Sequence, residues 1–348
     1  MTVNIGREGG EGPAAHLGAY RALDGSHSAA VHLDVDGPHA GLVVGKRGSG
    51  KSNTLGVLAE GLARTPGVAP VVVDPMGALR TLAAEASGAP APAHVLEAPT
   101  VPASSLDPRS WCALLGLAPD SGAGALVWQA ATEAATLSGM REWLATAAAP
   151  AADTRAARNH LALAASWEVF DPDGLDAAAL AGPEATVIDV SGLDRAPANA
   201  VVRGVAASLY RARVEATLDR LPWLLVDEAH AFFDGVANAA LRRLLTRGRA
   251  PGVSLVCATQ RPSALPAVGV SQADLLVAHR LTSTADLDAL RAARPSYLDR
   301  SLSERLPEAT GAALVVDDAT ESVHTIQVRE RETPHGGPDP RASAVTEK

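Results

Sequence analysis

The feature that most constrains the fold is a series of six short, almost entirely apolar runs, each ending in a polar or glycine-rich turn. Segments of helical character separate several of these runs, and apolar strands that alternate with helices are typical of a parallel sheet covered on both faces. In such sheets a ligand lies at the carboxyl ends of the strands. The sequence therefore predicts an α/β fold with a mostly parallel sheet and one ligand site along a single edge. The runs cover residues 41–44, 69–73, 185–188, 223–226, 253–257 and 275–278, and the polar residues that follow them include Asp74, Asp189, Asp227 and Gln260.

The first run leads into a phosphate-loop motif. Residues 45–52 match the pattern G-x-x-x-x-G-K-[ST] at every fixed position, and a helix is predicted over 54–62. Glycines let successive backbone N–H groups point at a phosphate, and the helix start adds the positive end of its dipole. We expect Lys51 to reach the β- and γ-phosphates of a nucleotide and the Ser52 hydroxyl to hold Mg²⁺. The predicted nucleotide-binding residues are Gly45, Arg47, Gly48, Ser49, Gly50, Lys51, Ser52 and Asn53.

The fourth apolar run ends in two acids, Asp227 and Glu228. In phosphate-loop enzymes one carboxylate in this place holds Mg²⁺, and a second carboxylate activates the attacking water. An acidic helix cap after a buried strand is the ordinary alternative, but the phosphate loop upstream favours a catalytic pair. We predict Asp227 as the metal carboxylate and Glu228 as the general base.

Two further segments carry candidate catalytic side chains. Gln260 ends the fifth run, where an amide can contact the γ-phosphate or the attacking water, although it can also cap a turn before Pro262. The segment 241–252 carries four arginines, which either complement a helix C-terminus or supply a transition-state cation across a subunit interface. Arg249 is the preferred candidate for that second role, and Arg280 is the other.

Charge and cysteine content restrict the classes of function. The chain has 348 residues and a net charge of −9, which argues against a general nucleic-acid binder unless a local basic patch or a ring-shaped assembly makes the contact. Its two cysteines, Cys112 and Cys257, argue against a disulfide scaffold or a zinc site and fit a reducing cytoplasm. No apolar run approaches the roughly 18 residues of a membrane span, and the polar N-terminus has no signal core. We therefore expect a cytoplasmic protein without a membrane segment.

The distribution of the apolar runs indicates a core interrupted by a helical insertion. Residues 104–182 are rich in Ala and lack strand-like runs, whereas 311–316 and 322–328 predict a C-terminal β-hairpin. The last residues are charged and rich in Pro and Gly, which predicts disorder. The predicted organisation is a short N-terminal segment (1–38) with one strand over 29–35, a first core part (39–103), the insertion (104–182), a second core part (183–329) and a disordered tail (330–348).

Together these motifs resemble the HerA/FtsK superfamily of hexameric, DNA-pumping ATPases, and HerA most closely. The resemblance rests on the phosphate loop, on residues 224–230 and on residues 247–263, and it covers about residues 30–330. It implies a RecA-like core and a ring-shaped homo-oligomer of six copies that translocates or unwinds double-stranded DNA. It also implies ATP and Mg²⁺ as cofactors, Lys51, Glu228, Gln260 and Arg249 as catalytic residues, and Ser52 and Asp227 at the metal.

One departure from the family concerns the region ahead of the phosphate loop. HerA proteins carry an N-terminal β-barrel that helps to dock the NurA nuclease, and the 44 residues before Gly45 are too few for a full barrel. A NurA-type nuclease is therefore a weaker expectation as partner than DNA. The alternative from another class is a nucleotide-gated assembly factor or switch that does not move along DNA, which the acidity of the chain supports.

Overall fold

A twelve-stranded sheet organises the computed structural model, which describes residues 2–7, 11–22, 25–84, 92–292 and 306–335. The strands are β1 (Thr2–Ile5), β2 (Ala14–Arg21), β3 (His27–Asp34), β4 (Ala40–Val44), β5 (Val68–Asp74), β6 (Ala93–Leu96), β7 (Ala185–Asp189), β8 (Leu221–Val226), β9 (Ser254–Thr259), β10 (Leu275–Ala278), β11 (Ala312–Asp317) and β12 (Ser322–Val328). Their order across the sheet is β1-β3-β2-β12-β11-β10-β4-β9-β8-β5-β7-β6. All neighbours from β10 to β6 are parallel, whereas β10, β11, β12, β2 and β3 pair antiparallel in turn.

Helices cover both faces of the parallel part of the sheet. Leu55 and Leu58 of α1 (Lys51–Ala63) share one buried cluster with Val43, while Leu241 of α9 (Asn238–Arg247) shares the opposite cluster with Val44. Because both faces are covered, every residue of β4, β5, β7 and β9 is buried, which explains their continuous apolar sequences. The helices are α1 (Lys51–Ala63), α2 (Pro108–Leu114), α3 (Gly122–Glu133), α4 (Leu137–Thr146), α5 (Ala151–Ser166), α6 (Ala177–Leu180), α7 (Arg195–Val214), α8 (His230–Phe233), α9 (Asn238–Arg247), α10 (Ala267–Ser271) and α11 (Thr284–Ala292).

The predicted α/β fold is confirmed. The six apolar runs form β4, β5, β7, β8, β9 and β10, and the two C-terminal runs form the antiparallel hairpin β11–β12. Helices α2 to α6 make up the helical insertion, and α2 to α5 enclose a core of their own around Trp111, Met140 and Leu161. No helix among the described residues is both long and apolar enough to cross a membrane.

The N-terminal segment differs from the expectation of a single strand. Three strands form there, and β2 joins them to the rest of the sheet by pairing with β12 through Tyr20↔Ile326 and Gly18↔Val328. Strand β2 was not predicted because the exposed His16, the glycine Gly18 and the half-buried Arg21 interrupt its sequence, which therefore lacks a continuous apolar run. Its partner across the sheet, far away in sequence, stabilises it instead.

The start of the predicted disordered tail is ordered and packs on α1, which corrects that expectation for residues 330–335. Glu60 of α1 is fully buried, and its carboxylate accepts hydrogen bonds from Arg329 Nη1 (2.7 Å), Thr333 N (2.9 Å) and Thr333 Oγ1 (2.7 Å). Arg331 lies over Gly56, where an added Cβ would stand 2.5 Å from Arg331 Cδ. The polar sequence of this segment does not predict these contacts, because their partners, Glu60 and Gly56, lie in α1, far away along the chain. Residues 336–348 lie outside the described part of the chain.

Glu60 allows a stability prediction with a defined pH dependence. Burial by itself raises the pKa of Glu60, but the hydrogen bonds from Thr333 and Arg329 outweigh it and hold the pKa below its usual value. The stabilisation is therefore fully present above the usual glutamate pKa and is lost as the pH falls through the lower folded-state pKa. We expect Glu60→Gln to lower the free energy of unfolding by about 2 kcal/mol at pH 7, measured by urea denaturation.

The difference between wild type and Glu60→Gln should shrink as the pH falls from the usual glutamate pKa through the lower folded-state pKa, because the wild-type carboxylate becomes protonated over that range. Asp288→Asn is the control, since it removes an exposed ion pair with Arg291 and should change the stability by less than about 0.5 kcal/mol. Equal losses in the two variants, or a difference that does not depend on pH, would contradict the assignment.

Candidate nucleotide site

The phosphate loop leaves the centre of the parallel sheet and turns directly into α1. Strand β4 lies between β9 and β10, and the loop that follows it requires glycine at two positions of left-handed backbone, Gly48 (φ +74°) and Gly50 (φ +119°). An added Cβ at Gly50 would lie 3.2 Å from Gly311 Cα, and one at Gly45 would lie 2.4 Å from Ser49 Oγ. The glycines of the motif are therefore needed for the shape of the loop in this chain.

A buried histidine that the sequence did not assign supports the loop from within the protein. His279 follows β10, is fully buried, and lies 2.9 Å from the Ala312 carbonyl through Nδ1 and 2.8 Å from Thr54 Oγ1 through Nε2. Because a carbonyl can only accept, Nδ1 carries the proton and Nε2 accepts from the Thr54 hydroxyl. Burial lowers the pKa of His279 to about 4, so the ring is neutral at pH 7. Sequence reasoning could not find this role, because Thr54 and Ala312 are far from His279 along the chain.

The predicted metal and phosphate ligands meet at the carboxyl ends of β4 and β8. Ser52 Oγ donates to Asp227 Oδ2 over 2.8 Å, and the Asp227 side chain is almost completely buried. Burial raises the pKa of Asp227, although the hydrogen bond from Ser52 opposes the shift. Lys51 is also buried and donates from Nζ to the Lys46 carbonyl over 3.2 Å. Burial lowers the pKa of its ammonium group, and the acids Glu228 and Asp227 oppose that shift.

Glu228 adopts a conformation that few side-chain-bearing residues adopt. Its φ of +43° lies in the left-handed region, and its Oε2 is buried without a hydrogen bond to any described residue. His230 lies beside it, with Nδ1 3.3 Å from Glu228 Oε2 and 3.2 Å from Thr259 Oγ1, and burial lowers the pKa of this imidazole. Such strained backbone and unsatisfied polar atoms occur preferentially at functional sites. The carboxylate of Glu228 is thus available for a partner that the protein itself does not supply.

The remaining predicted ligands lie around this centre in different ways. Gln260 directly follows β9, whose last residue, Thr259, is in register with Val44, so Gln260 and Gly45 lie side by side at the sheet edge. Ser49 is used within the loop, since its Oγ donates to the Lys46 carbonyl over 2.8 Å. Asn53 faces the C-terminal segment, where its side-chain amide donates to the Arg329 carbonyl over 2.9 Å. Arg47 is exposed on the outer side of the loop.

Two other acids at the same edge of the sheet serve the structure of neighbouring turns. The fully buried Asp74 carboxylate accepts from the backbone N–H groups of Met76, Ala78 and Leu79. Asp189 forms an ion pair with Arg80 and accepts from the Ser191 N–H over 2.9 Å. Of the four polar residues that the sequence placed at strand ends, only Asp227 and Gln260 lie next to the phosphate loop.

The two candidate arginines lie at opposite edges of the sheet. Arg280 follows β10 at the carboxyl edge, and its carbonyl accepts from Lys46 N over 2.8 Å. Arg249 lies between α9 and β9 at the amino edge, where its guanidinium stands 3.4 Å from Asp274 Oδ2. The structure therefore brings Arg280, and not Arg249, close to the phosphate loop of the same chain.

The donor set fits a nucleotide with Mg²⁺. A serine hydroxyl and a carboxylate are oxygen ligands of the kind that Mg²⁺ prefers, and a helix N-terminus with a lysine binds phosphate. The Ser52 hydroxyl and the Asp227 carboxylate are already 2.8 Å apart, so these are the two side chains that would hold the metal of a bound nucleotide.

Comparisons with known proteins identify the family of this chain and match its fold. Residues 21–207 match the family model described as "Helicase HerA, central domain", which is more than half of the chain. VirB4 of Thermoanaerobacter pseudethanolicus superposes with a TM-score of 0.67 at 16% identity, over 92% of this chain and 97% of that one. The conjugative coupling protein TrwB without its first 70 residues gives a TM-score of 0.58 at 17% identity over 88% of each chain.

A further structure, of TrwB in complex with ADP and Mg²⁺, matches with a TM-score of 0.55 at 16% identity, over 95% of this chain and 99% of that one. At these identities the likeness to solved structures establishes the fold alone. No curated protein sequence matches this chain.

The loop geometry predicts the effect of a single added methyl group. Gly50→Ala places a Cβ against Gly311 at a φ of +119°, which costs about 1–3 kcal/mol and distorts the loop. We expect the affinity for a fluorescent ADP analogue with Mg²⁺ to fall at least about tenfold, with the folded state retained by circular dichroism. Gly37→Ala is the matched control, because a Cβ there meets nothing within 4 Å, and its affinity should equal that of the wild type. Unchanged affinity in a folded Gly50→Ala protein would contradict this prediction.

Proposed function

Since this chain belongs to the family of the HerA helicase central domain, we propose that it is an ATP-hydrolysing motor that translocates or unwinds double-stranded DNA as a ring-shaped oligomer. The observation that carries the hydrolytic part is the pairing of Ser52 with Asp227 at 2.8 Å, beside the buried Lys51 and the unsatisfied carboxylate of Glu228. A site built only to hold a nucleotide does not need a second acid in a strained conformation.

Each residue of the site has a defined part in the proposed reaction. Lys51 binds the β- and γ-phosphates, and Ser52 and Asp227 hold the metal. Bound Mg²⁺ neutralises charge that develops on the phosphate oxygens. Glu228 accepts a proton from the attacking water, and Gln260 lies where its amide can orient that water or contact the γ-phosphate.

The oligomeric part of the proposal is supported by the position of Arg249. Transition-state charge in phosphoryl transfer is commonly stabilised by an arginine that another chain supplies. Arg249 lies at the sheet edge away from its own phosphate loop, which suits an arginine offered to the site of an adjacent copy. We propose further copies of this chain, six in a ring, and double-stranded DNA as the partners. The buried, unpaired Cys112 and Cys257 are compatible with a cytoplasmic location.

A nucleotide-gated switch that does not move along DNA is the second candidate. The net charge of −9 favours it, because duplex DNA binding depends on a basic surface. The two functions differ in whether DNA changes the rate of ATP hydrolysis.

We expect double-stranded DNA to raise the steady-state rate of ATP hydrolysis at least severalfold at low salt, and the stimulation to weaken as salt is added because phosphate contacts are screened. The measurement is a coupled ATPase assay over a DNA titration at two salt concentrations. Turnover that stays constant over the whole titration would remove the DNA motor and favour the switch.

Glu228→Gln serves as the control for hydrolysis at the proposed site. It should bind ATP with near wild-type affinity, but its rate of ATP hydrolysis should be about 10²–10⁴-fold lower because the general base is absent. A variant that hydrolyses ATP at nearly the wild-type rate would show that the activity arises elsewhere.

A further inference from the structure

Arg249 differs from its arginine neighbours in having a carboxylate partner. The segment from α9 to β9 contains Arg242, Arg243, Arg247 and Arg249, all of them exposed. Among the described residues, only Arg249 of these four has a carboxylate within ion-pair distance, the Asp274 side chain at 3.4 Å. Arg243 instead lies over the Tyr210 ring, 5.8 Å from its centre.

Asp274 is itself fixed to the start of the strand that carries the phosphate loop. Its Oδ1 accepts from Ala40 N, the first residue of β4, over 2.9 Å, and its Oδ2 lies 3.2 Å from His39 Nδ1 as well as near Arg249. The Asp274 side chain is only 15% exposed, whereas that of Arg249 is 48% exposed. A well-held carboxylate therefore pairs with an exposed guanidinium at the amino edge of β4 and β10.

The length of β4 separates this ion pair from the phosphate loop of the same chain. From Ala40 to Gly45 the chain advances five residues, which at about 3.3 Å per residue is roughly 16 Å. The Arg249 side chain cannot span that distance while it is paired with Asp274. Its guanidinium is available only to another molecule that approaches the amino edge of the sheet.

We infer that Asp274 is a positioning residue that holds Arg249 ready for the phosphate site of an adjacent copy of this chain. The inference rests on the proposed function, in which Arg249 acts between subunits. An exposed arginine samples many rotamers, and an ion pair at its guanidinium restricts them before the neighbouring site closes around it. Asp274 also accepts a hydrogen bond from Ala40, the first residue of β4, and β4 leads into the phosphate loop. In each copy, the strand that carries its own phosphate loop is therefore linked to the arginine that this copy presents to the adjacent copy.

The test uses Asp274→Asn, Arg249→Ala and Lys51→Ala proteins, alone and in mixtures. Asn retains an oxygen that can accept from Ala40 N but removes the charge that holds Arg249. We expect Asp274→Asn alone to lose about ten- to a hundredfold in kcat for ATP, with little change in nucleotide affinity. Arg249→Ala alone should lose about a thousandfold. Asp288→Asn, which removes an exposed ion pair with Arg291, should behave as wild type.

Mixing separates a role between subunits from a local structural defect. A Lys51→Ala subunit cannot use its own phosphate loop but presents an intact Asp274–Arg249 pair to its neighbour. Mixtures of Lys51→Ala with Asp274→Asn should therefore hydrolyse ATP well above the sum of the separate proteins, as should mixtures with Arg249→Ala. Co-purification of two differently tagged variants verifies that mixed oligomers form.

The outcomes distinguish this inference from the proposed function. If the Arg249→Ala mixture is rescued but the Asp274→Asn mixture is not, or if Asp274→Asn alone keeps wild-type kcat, the positioning role is wrong while the arginine between subunits stands. If mixed oligomers form and neither mixture is rescued, the role of Arg249 between subunits is itself wrong. If Asp274→Asn hydrolyses ATP faster than wild type, Asp274 restrains the arginine, and the inference is overturned.

Discussion

The whole site depends on how the phosphate loop is held against the sheet, and His279 is the residue that holds it. The loop has left-handed glycines at positions 48 and 50, and its own hydrogen bonds run from Ser49 and Lys51 to the Lys46 carbonyl. The neutral, fully buried imidazole joins Thr54 at the start of α1 to the Ala312 carbonyl in β11. The Gly311 N–H adds a hydrogen bond to the Ser49 carbonyl. The C-terminal hairpin therefore shapes a loop that lies some 260 residues earlier in the chain.

Those parts of the fold that are encoded locally could be predicted from the sequence, and those that depend on distant partners could not. Six apolar runs and the loop motif led to the parallel core because buried strands and glycine-rich turns leave a local signature. Strands β1 and β2 and the ordered residues after β12 leave none, because polar or short segments are stabilised there by pairing across the sheet or by Glu60. For the same reason the motif residues were found, but the support from His279 and the tether from Asp274 were not.

The residues proposed for catalysis lie at two opposite edges of the sheet, separated by the length of its strands. Ser52, Asp227 and Glu228 gather at the carboxyl edge, while Arg249 stands with Asp274 at the amino edge. One copy of the chain therefore carries a phosphate-binding surface and an arginine-bearing surface that cannot meet within the molecule. The proposed contact between these two surfaces on adjacent copies is a head-to-tail arrangement, which closes into a ring when the rotation permits. This geometry links the proposed hydrolysis to the proposed assembly.

We propose that ATP hydrolysis at this site moves the protein along double-stranded DNA. The most direct measurement is displacement of a labelled third strand from a DNA triplex, followed in time with ATP and Mg²⁺. We expect the wild-type protein to displace the third strand with ATP but not with a non-hydrolysable ATP analogue, and we expect Glu228→Gln to displace none. Sustained ATP hydrolysis in the presence of the triplex without any displacement of the third strand would contradict this proposal.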